Sequence, residues 1–416
     1  MYQKANIANI FSYKTFIPCF SPPISNQNLL FFGIWMASLL ILFNLLNYSY
    51  NDVYSQTDNN IKNNTNSIRD NRGYTSTVLQ YDKMKGCTDN LSERTNATQY
   101  LTYFNCGHVT TNDKTKTTTR QFTLIAEENH TIPISTIGHK FHAWTYNGTV
   151  PGPTMRMTQG DHIQITLINS KDSKHDHSIH MHSIHAGLMD GVPGASGASG
   201  MVKPGQNFTY SFIAQPYGLY PYHCHVDPVE DHVNRGLYGM FIIDPPQPRK
   251  PMHEMAMLMN GYDMNYTHEG GSFALPKLDI RDPTNLVPNG LPDRHNDIYT
   301  VNGEGFVYRD HPIHLIQGQW YRIYLTNMLD FDLINSFHLH GMMFNYFPAG
   351  TSTKPAFTND IVTQTVADRG ILEFQAGFPG LYMFHAHQSE FTGKGWMGYF
   401  NVTAAPPIKH NHLNKI

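Results

Sequence analysis

The sequence predicts an all-β protein: two tandem β-sandwich domains behind an N-terminal membrane-spanning segment and a polar stalk. Three observations predict it. Short alternating stretches such as QFTLIA, HIQITLIN, FTYSFIA and GMFII recur from Arg120 onward, separated by Gly, Pro, Asn and Asp, which is the rhythm of half-buried strands and turns. No long stretch of helical period competes with them. The whole pattern then occurs a second time, as tandem domains require.

The first element is Leu29 to Leu46, LLFFGIWMASLLILFNLL, which carries no charge. Its length is about the minimum that spans a bilayer as a helix. Lys4 and Lys14 precede it and favour a cytoplasmic tail over residues 1–28. No small-residue cleavage site follows in FNLLNYSYND, so residues 29–46 read as an uncleaved anchor rather than a signal peptide. The expected location is the cell membrane, single-pass, with the rest of the chain extracellular or periplasmic. Residues 47–119, rich in Asn, Thr and Ser, read as a stalk or poorly ordered linker. Asn63, Asn90, Asn96, Asn129, Asn207 and Asn265 head N-x-S/T sequons, which agree with export.

The chain of 416 residues has room for these domains, and its 40% hydrophobic content supplies a core. A formal net charge of -3, without a basic tract, gives no reason to expect nucleic acid as a partner. The unusual count is 24 histidines, which turns attention to metals. Of four cysteines, only Cys224 lies among histidines. Cys87 and Cys106 can pair if they lie outside the cell, and Cys19 is expected to be a plain cytoplasmic thiol.

The repeat is read segment by segment. NGTVPGPTMRMTQGDHIQITLIN (Asn147 to Asn169) matches NGEGFVYRDHPIHLIQGQWYRIYLTN (Asn302 to Asn327). HSIHMHS (from His177) matches NSFHLHG (from Asn335), GLYPYHCHVD (from Gly218) matches GLYMFHAHQS (from Gly380), and RGLYGMFII (from Arg235) matches KGWMGYFNV (from Lys394). Order and spacing are kept. The domains are expected at residues 120–247 and 248–405, joined near the proline-rich Asp244 to Pro251 and followed by a tail, 406–416.

At matching positions the two repeats carry two H-x-H pairs each: His180/His182 and His223/His225 in the first, His338/His340 and His385/His387 in the second. Residues i and i+2 of a strand share a face, so each pair can present two imidazoles to one place. One pair alone is an ordinary surface accident; four at matching positions are not. Cys224 lies between two of these histidines and points to the opposite face. His177, three residues before His180, also points away from that face if the strand is regular. With His232 these residues form a His₂Cys set, the donor pattern of a blue-copper electron-transfer site. An electron leaving the Cys224 sulfur reaches the neighbouring imidazoles through one residue of backbone. The second repeat has Asn335, Ala386 and Phe391 at the corresponding positions, so it keeps the paired histidines and lacks the sulfur site.

These motifs, from about Phe122 to Ala404, closely resemble the multicopper oxidase family in its two-domain form, related to copper nitrite reductases and laccase-like in type. The resemblance implies tandem cupredoxin-like Greek-key sandwiches and four coppers per subunit: one type 1, one type 2 and two type 3. It implies that His177, Cys224 and His232 hold type 1 copper. Type 2 falls to His180 and His338, and the type 3 pair to His182, His223, His225, His340, His385 and His387. Relatives often place an axial methionine where this chain has Leu237; Met240 is the alternative. Carboxylates near such a cluster relay protons, and Asp190 and Glu390 are the candidates because each closely follows a histidine pair. Otherwise Asp190 caps a turn and Glu390 is a solvated charge. The implied reaction couples four one-electron oxidations of an unidentified donor at type 1 copper to reduction of dioxygen to water. Two-domain relatives are homotrimers whose clusters lie between subunits.

Two competing readings are a copper nitrite reductase, which needs fewer of the eight paired histidines, and a surface copper buffer without turnover, for which the H-C-H strand has no use. The five methionines of PMHEMAMLMNGYDM (Pro251 to Met264) are expected to fill the core of the second domain's first strand, with copper(I) binding as the lesser reading. GVPGASGASG (Gly191 to Gly200) is a flexible loop without the helix and lysine of a phosphate loop. His139, His142, His162, His175 and His185 are expected to be ordinary residues, and His410 and His412 to lie in an unstructured tail.

Overall fold

The computed structural model describes residues 96–194, 200–264 and 295–405. The expected anchor, the stalk up to residue 95, Cys19, Cys87, Asn63, Asn90, Asn265, His410 and His412 lie outside the described residues. Among the described residues, no helix is long and apolar enough to cross a membrane.

Two β-sandwiches follow one another. In the first, one sheet runs β1 (His108–Thr111), β2 (Thr118–Pro133), β5 (His162–Asn169), β7 (Asn207–Ile213), with β3 (Lys140–Tyr146) pairing onto β2. The facing sheet runs β4 (Met155–Thr158), β9 (Tyr238–Asp244), β8 (Gly218–His223), β6 (His180–Met181). In the second, β11 (Ile298–Val301), β10 (His253–Tyr262), β13 (Trp320–Asn327), β18 (Arg369–Gln375), β15 (Phe344–Pro348) and β16 (Phe357–Asn359) form one sheet in that order. The other is β12 (Ile313–Ile316), β20 (Met397–Thr403), β19 (Gly380–His385), β14 (Asn335–Leu339) and β17 (Ile361–Gln364). Strands β4 to β8 alternate between sheets, as in Greek-key sandwiches. The parallel pairs β2/β5 and β4/β9 recur as β10/β13 and β12/β20, so the sequence repeat is a repeat of topology.

Alternation fills each core. Ile163, Ile165 and Leu167 of β5 are fully buried beside Phe122 and Leu124 of β2. Strand β10 differs because both of its faces are covered. Met255, Met257 and Met259 enter the second domain's core, where the flexible thioethers fill gaps. Ala256 and Leu258 point the other way and join Tyr324 and Ile371 against Leu219, Met240 and Ile242 of the first domain. The two sandwiches thus share a third apolar cluster.

A buried ionic network crosses the same junction. The Arg156 guanidinium donates to Asp244 at 2.7 Å and to Glu254 across the domain boundary. Arg322 donates to Glu254 at 2.9 Å and to Glu373 at 2.7 Å, and the Tyr324 hydroxyl donates to Glu254 at 2.7 Å. Burial alone would push the Glu254 carboxyl up, but Arg156 and Arg322 overcome it and hold the group at about 2.

One expectation is corrected. Residues 96–119 are not stalk. Helix α1 (Ala97–Tyr100) has an Asn96/Gln99 capping box, and Tyr100, Leu101 and Phe104 behind it are buried. Apolar anchors too widely spaced to register as periodicity fix this segment, and β1 then pairs with β2. Cys106 is buried and disulfide-bonded; its expected partner, Cys87, is outside the described residues.

Candidate metal centres

The first centre is built on the end of β8. Cys224 is fully buried, as are His177 and His232, and their donor atoms lie within 4.8 Å of one another. The Cys224 sulfur is 3.2 Å from His232 Nδ1, which is 3.3 Å from His177 Nδ1. His232 comes from helix α2 (Val229–Asn234), a single short turn of chain that ends at Gly236. Gly236 has φ 119°, and a Cβ there would strike Val150 and the Trp144 carbonyl, so only glycine lets the chain turn back beneath the sulfur. Ser178 donates its backbone N–H to the sulfur at 3.4 Å. Burial would raise the Cys224 thiol, but contacts with His177 and His232 hold it well below its ordinary value. Burial likewise opposes charge on His177, yet Cys224 and Glu128 raise it to about 9.

Glu128 was not legible in the sequence, since it lies 49 residues before His177, on β2. Its Oε1 accepts from His177 Nε2 at 3.1 Å and from the backbone N–H groups of His175 and Lys174 at 3.0 and 3.1 Å. Those bonds outweigh burial and bring its carboxyl down to about 2. With Nε2 held by Glu128, Nδ1 is the His177 nitrogen turned toward Cys224 and His232, and it would ligate a metal once its proton is displaced.

Two further groups are the H-x-H pairs. His180 stands opposite His223 in the β6/β8 ladder, and His180, His182 and His223 bring their donor atoms within 4.8 Å. His225 joins them, its ring centroid 5.2 Å from that of His180. The second domain repeats this: His338 opposes His385, His338, His340 and His385 form the group, and His387 is 5.3 Å from His338. Small features repeat too. Ser178 Oγ accepts the His225 N–H at 3.1 Å, and Ser336 Oγ accepts that of His387 at 2.8 Å. His180 Nδ1 is 3.0 Å from the Asp190 carbonyl oxygen, and His338 Nδ1 is 3.0 Å from that of Asp360. His223 and His385 turn Nδ1 to the carbonyls of Cys224 and Ala386 at 2.9 and 2.6 Å. Each Nδ1 is thereby engaged by a backbone carbonyl, which leaves Nε2 as the nitrogen through which each of the four rings would ligate a metal.

The donor sets fit copper. His182 and His223 face each other at 3.2 Å through Nε2, and His340 and His385 at 3.0 Å, a separation at which two imidazole nitrogens share a proton or a metal ion. Burial, then neighbouring imidazoles, lowers His182 to about 3. Burial, only partly offset by the Cys224 carbonyl, lowers His223 to about 4. His340 and His385 are shifted down as well, by burial first. Neutral imidazoles are the form that ligates. Buried His₂Cys is a blue-copper donor set, and imidazole groups suit copper.

The expected alternation around Cys224 is present although β8 itself ends at His223: the sulfur faces His177 and His232, while His223 and His225 face His180. His177 is not in a regular strand with His180; it makes only an isolated bridge to Val202, and this break turns it to the sulfur. Leu237 shares the Cys224 core cluster. Met240 does not: its sulfur lies in the interdomain cluster and accepts the Thr326 hydroxyl at 3.9 Å. In the second domain Asn335 pairs with Asn327, Phe391 stacks on Tyr299 at 4.0 Å, and Trp396, aligned with Leu237, packs on Phe337 at 5.8 Å. Side chains fill the volume of the missing sulfur site.

The two carboxylates part company. Asp190 Oδ1 lies 3.1 Å from His180 Nδ1 and 3.6 Å from His185 Nε2. Glu390 sits on helix α3 (Ser389–Gly393), paired with Lys394 at 2.7 Å, with its side chain 65% exposed. The acid beside the second histidine group is Asp360, 3.9 Å from His338, which no local motif marks. His185 Nε2 is 3.0 Å from the Met181 carbonyl oxygen, beside Asp190.

Fold and donor sets together define a cupredoxin-like copper protein. Family profiles described as multicopper oxidase match residues 128–248 and 278–406, and the chain belongs to the multicopper oxidase family. A crystal structure described as a multicopper oxidase is 38% identical, with TM-score 0.64, covering 74% of this chain and 97% of that one. The blue copper oxidase of Nitrosomonas europaea is 26% identical, TM-score 0.58, over 68% and 86% of the two chains. A copper-containing nitrite reductase of Neisseria meningitidis serogroup B is 27% identical over 275 residues, 64% of this chain and 65% of the reductase. The match thus spans just under two thirds of that relative.

Proposed function

We propose that the protein oxidises a donor one electron at a time at His177, Cys224 and His232 and passes the electrons to paired-histidine sites that reduce dioxygen to water, in the manner of a laccase-like oxidase. The observation that carries this reading is the division of one chain segment: the Cys224 sulfur serves the buried His₂Cys set while His223 and His225, its neighbours, serve the next. Copper, when bound, supplies the one-electron chemistry and the site of oxygen reduction. Four coppers per subunit would be held as follows: type 1 by His177, Cys224 and His232, with Leu237 packed beside the sulfur; type 2 by His180 and His338; type 3 by His182, His223, His225, His340, His385 and His387. Asp190 orients His180 and hands protons inward, with His185 beside it. Glu390 has no such part, because its carboxylate is exposed and engaged by Lys394.

The cluster assembles between copies. Each histidine group draws on one domain, and among the described residues none combines the two. Within the chain, β8 of the first domain is buried against β13 and β18 of the second, with Arg369 Nε donating to the Leu219 carbonyl at 3.0 Å. By the repeat, β19 corresponds to β8, and β5 and β7 correspond to β13 and β18. Those faces are open: Leu381 and Met343 near the second histidine group are each 58% exposed, and Ile168 and Ile213 each 36%. Repeating the internal junction between copies covers both faces and closes a ring of three subunits. Residues 29–46 would tether this assembly to the outer face of the cell membrane.

Copper nitrite reduction is the alternative, supported by the Neisseria relative. Metal analysis and gas exchange separate the two. The oxidase holds four coppers per subunit and consumes dioxygen with a generic reductant; two coppers, with nitrite consumed instead, would overturn the oxidase.

A further inference from the structure

Both imidazoles of the sulfur site are sealed from solvent: His177 is 0% and His232 1% exposed. No donor can touch either ring. The half-exposed His175 packs on His232 at 6.3 Å, and Trp144 packs on both ligand rings. Its ring lies edge-on to His232 at 4.9 Å and to His177 at 5.5 Å. It also meets the ring of His175 at 4.7 Å with planes tilted by 34°, and the Arg235 guanidinium stands 5.0 Å above it. Trp144 is itself only 7% exposed. His175, whose side chain is 52% exposed, is the outermost ring of the set. Glu128 Oε1 clamps it through both backbone N–H and Nδ1, at 3.0 and 3.2 Å, and the same oxygen holds His177.

We propose that electrons enter through His175 and Trp144: a planar aromatic donor of the phenol or hydroquinone class stacks on the open face of His175, and the electron crosses Trp144 to the His177 and His232 rings. The inference rests on the copper assignment above. Trp144 and His175 are a bridge and are not themselves oxidised. Hydroquinone loses one electron, the phenolic proton goes to bulk water, and the electron goes to the type 1 copper, Cu(II) becoming Cu(I); the semiquinone leaves. Electron transfer across non-bonded gaps falls steeply with distance, so an unbroken run of ring contacts matters. An aromatic platform also suits an aromatic donor. Glu128 has the subsidiary task of keeping His175 and His177 in fixed relation.

The test uses the copper-loaded full chain and hydroquinone under argon, following loss of the blue absorption by stopped flow, so that oxygen chemistry is not involved. His175→Ala is expected to slow reduction by about tenfold or more while leaving the blue band, its electron paramagnetic resonance signal and its potential unchanged. His175→Phe restores most of the rate because it restores the ring. In copper-free protein, a hydroxybenzene quenches tryptophan fluorescence, and that quenching weakens in both Trp144→Phe and His175→Ala. An unaltered reduction rate in His175→Ala overturns the proposal. So does a rate loss accompanied by a changed blue signal, or one that phenylalanine does not rescue, since either makes His175 a structural support. If the unsubstituted chain shows no blue signal at all, the copper assignment itself fails, which is read before any variant is compared.

Discussion

Glu128 and His177 are joined by a hydrogen bond of 3.1 Å from the imidazole Nε2 to the carboxylate, in the interior of the first domain and beside the Cys224 sulfur. A buried anion on the far side of a ligand ring makes that ring a better electron donor to its metal. Glu128→Gln keeps the shape and removes the charge. The expected outcome is a retained blue band and a reduction potential raised by about 60 mV, the equivalent of tenfold in a one-electron equilibrium. Redox titration checks it; an unchanged potential would show that the carboxylate only positions.

Leu237 shares the Cys224 cluster, whereas Met240 is turned toward Thr326. Leu237→Met places a soft thioether where a weak axial ligand sits in many blue-copper sites. The potential should fall by about 60 mV with a shift in the blue spectrum. Met240→Leu should leave the spectrum untouched and affect only the packing between domains.

Asp190 contacts His180, while Glu390 is paired with Lys394 in solvent. Asp190→Asn is expected to reduce the turnover of oxygen by about a hundredfold, the scale of a lost proton-transfer group, with copper content and type 1 reduction unaffected. Glu390→Gln should be kinetically silent. Equal losses in both would place the proton path elsewhere.

Glu254 is held at about 2 by Arg156 and Arg322 against the cost of burial. A carboxyl depressed in the folded state stabilises above its unfolded value and loses that contribution as pH falls toward the folded one. This contribution is therefore complete above the ordinary 4.5 and fades between there and about 2. Glu254→Gln takes one carboxylate from each of two buried guanidiniums, which keep Asp244 and Glu373, and should cost about 3 kcal/mol at neutral pH. Its melting temperature should depend less on acid over that window, as calorimetry across pH would show.

Leu381→Glu or Met343→Lys charges the open face beside His340 and His385. Size-exclusion chromatography with light scattering should show monomers in place of trimers. The blue band should survive, because His177, Cys224 and His232 lie within one domain, while oxygen uptake falls to background. A monomeric variant that still consumes oxygen would show that one chain suffices.

The amino-acid order alone determined the repeat, its strands and the facing of the paired histidines. Those depend on local alternation: a residue's parity within a strand fixes its face, so H-C-H divides between two sites wherever the strand goes. It also determined that the second domain has no sulfur site, since Asn335, Ala386 and Phe391 cannot supply one. It misplaced residues 96–119, because Tyr100, Leu101 and Phe104 are anchored by distant partners rather than by any periodicity.

Only the tertiary structure decided which groups surround those ligands. Glu128 reaches His177 across 49 positions, Asp360 approaches His338 from 22 away, and Trp144 packs on both ligand rings from a separate strand. Such contacts are set by how two sheets stack and where loops cross them, which no short spacing encodes. The same applies to Glu390: proximity to a histidine pair in sequence put it near the site, but the helix it sits on turns its carboxylate to Lys394 and solvent.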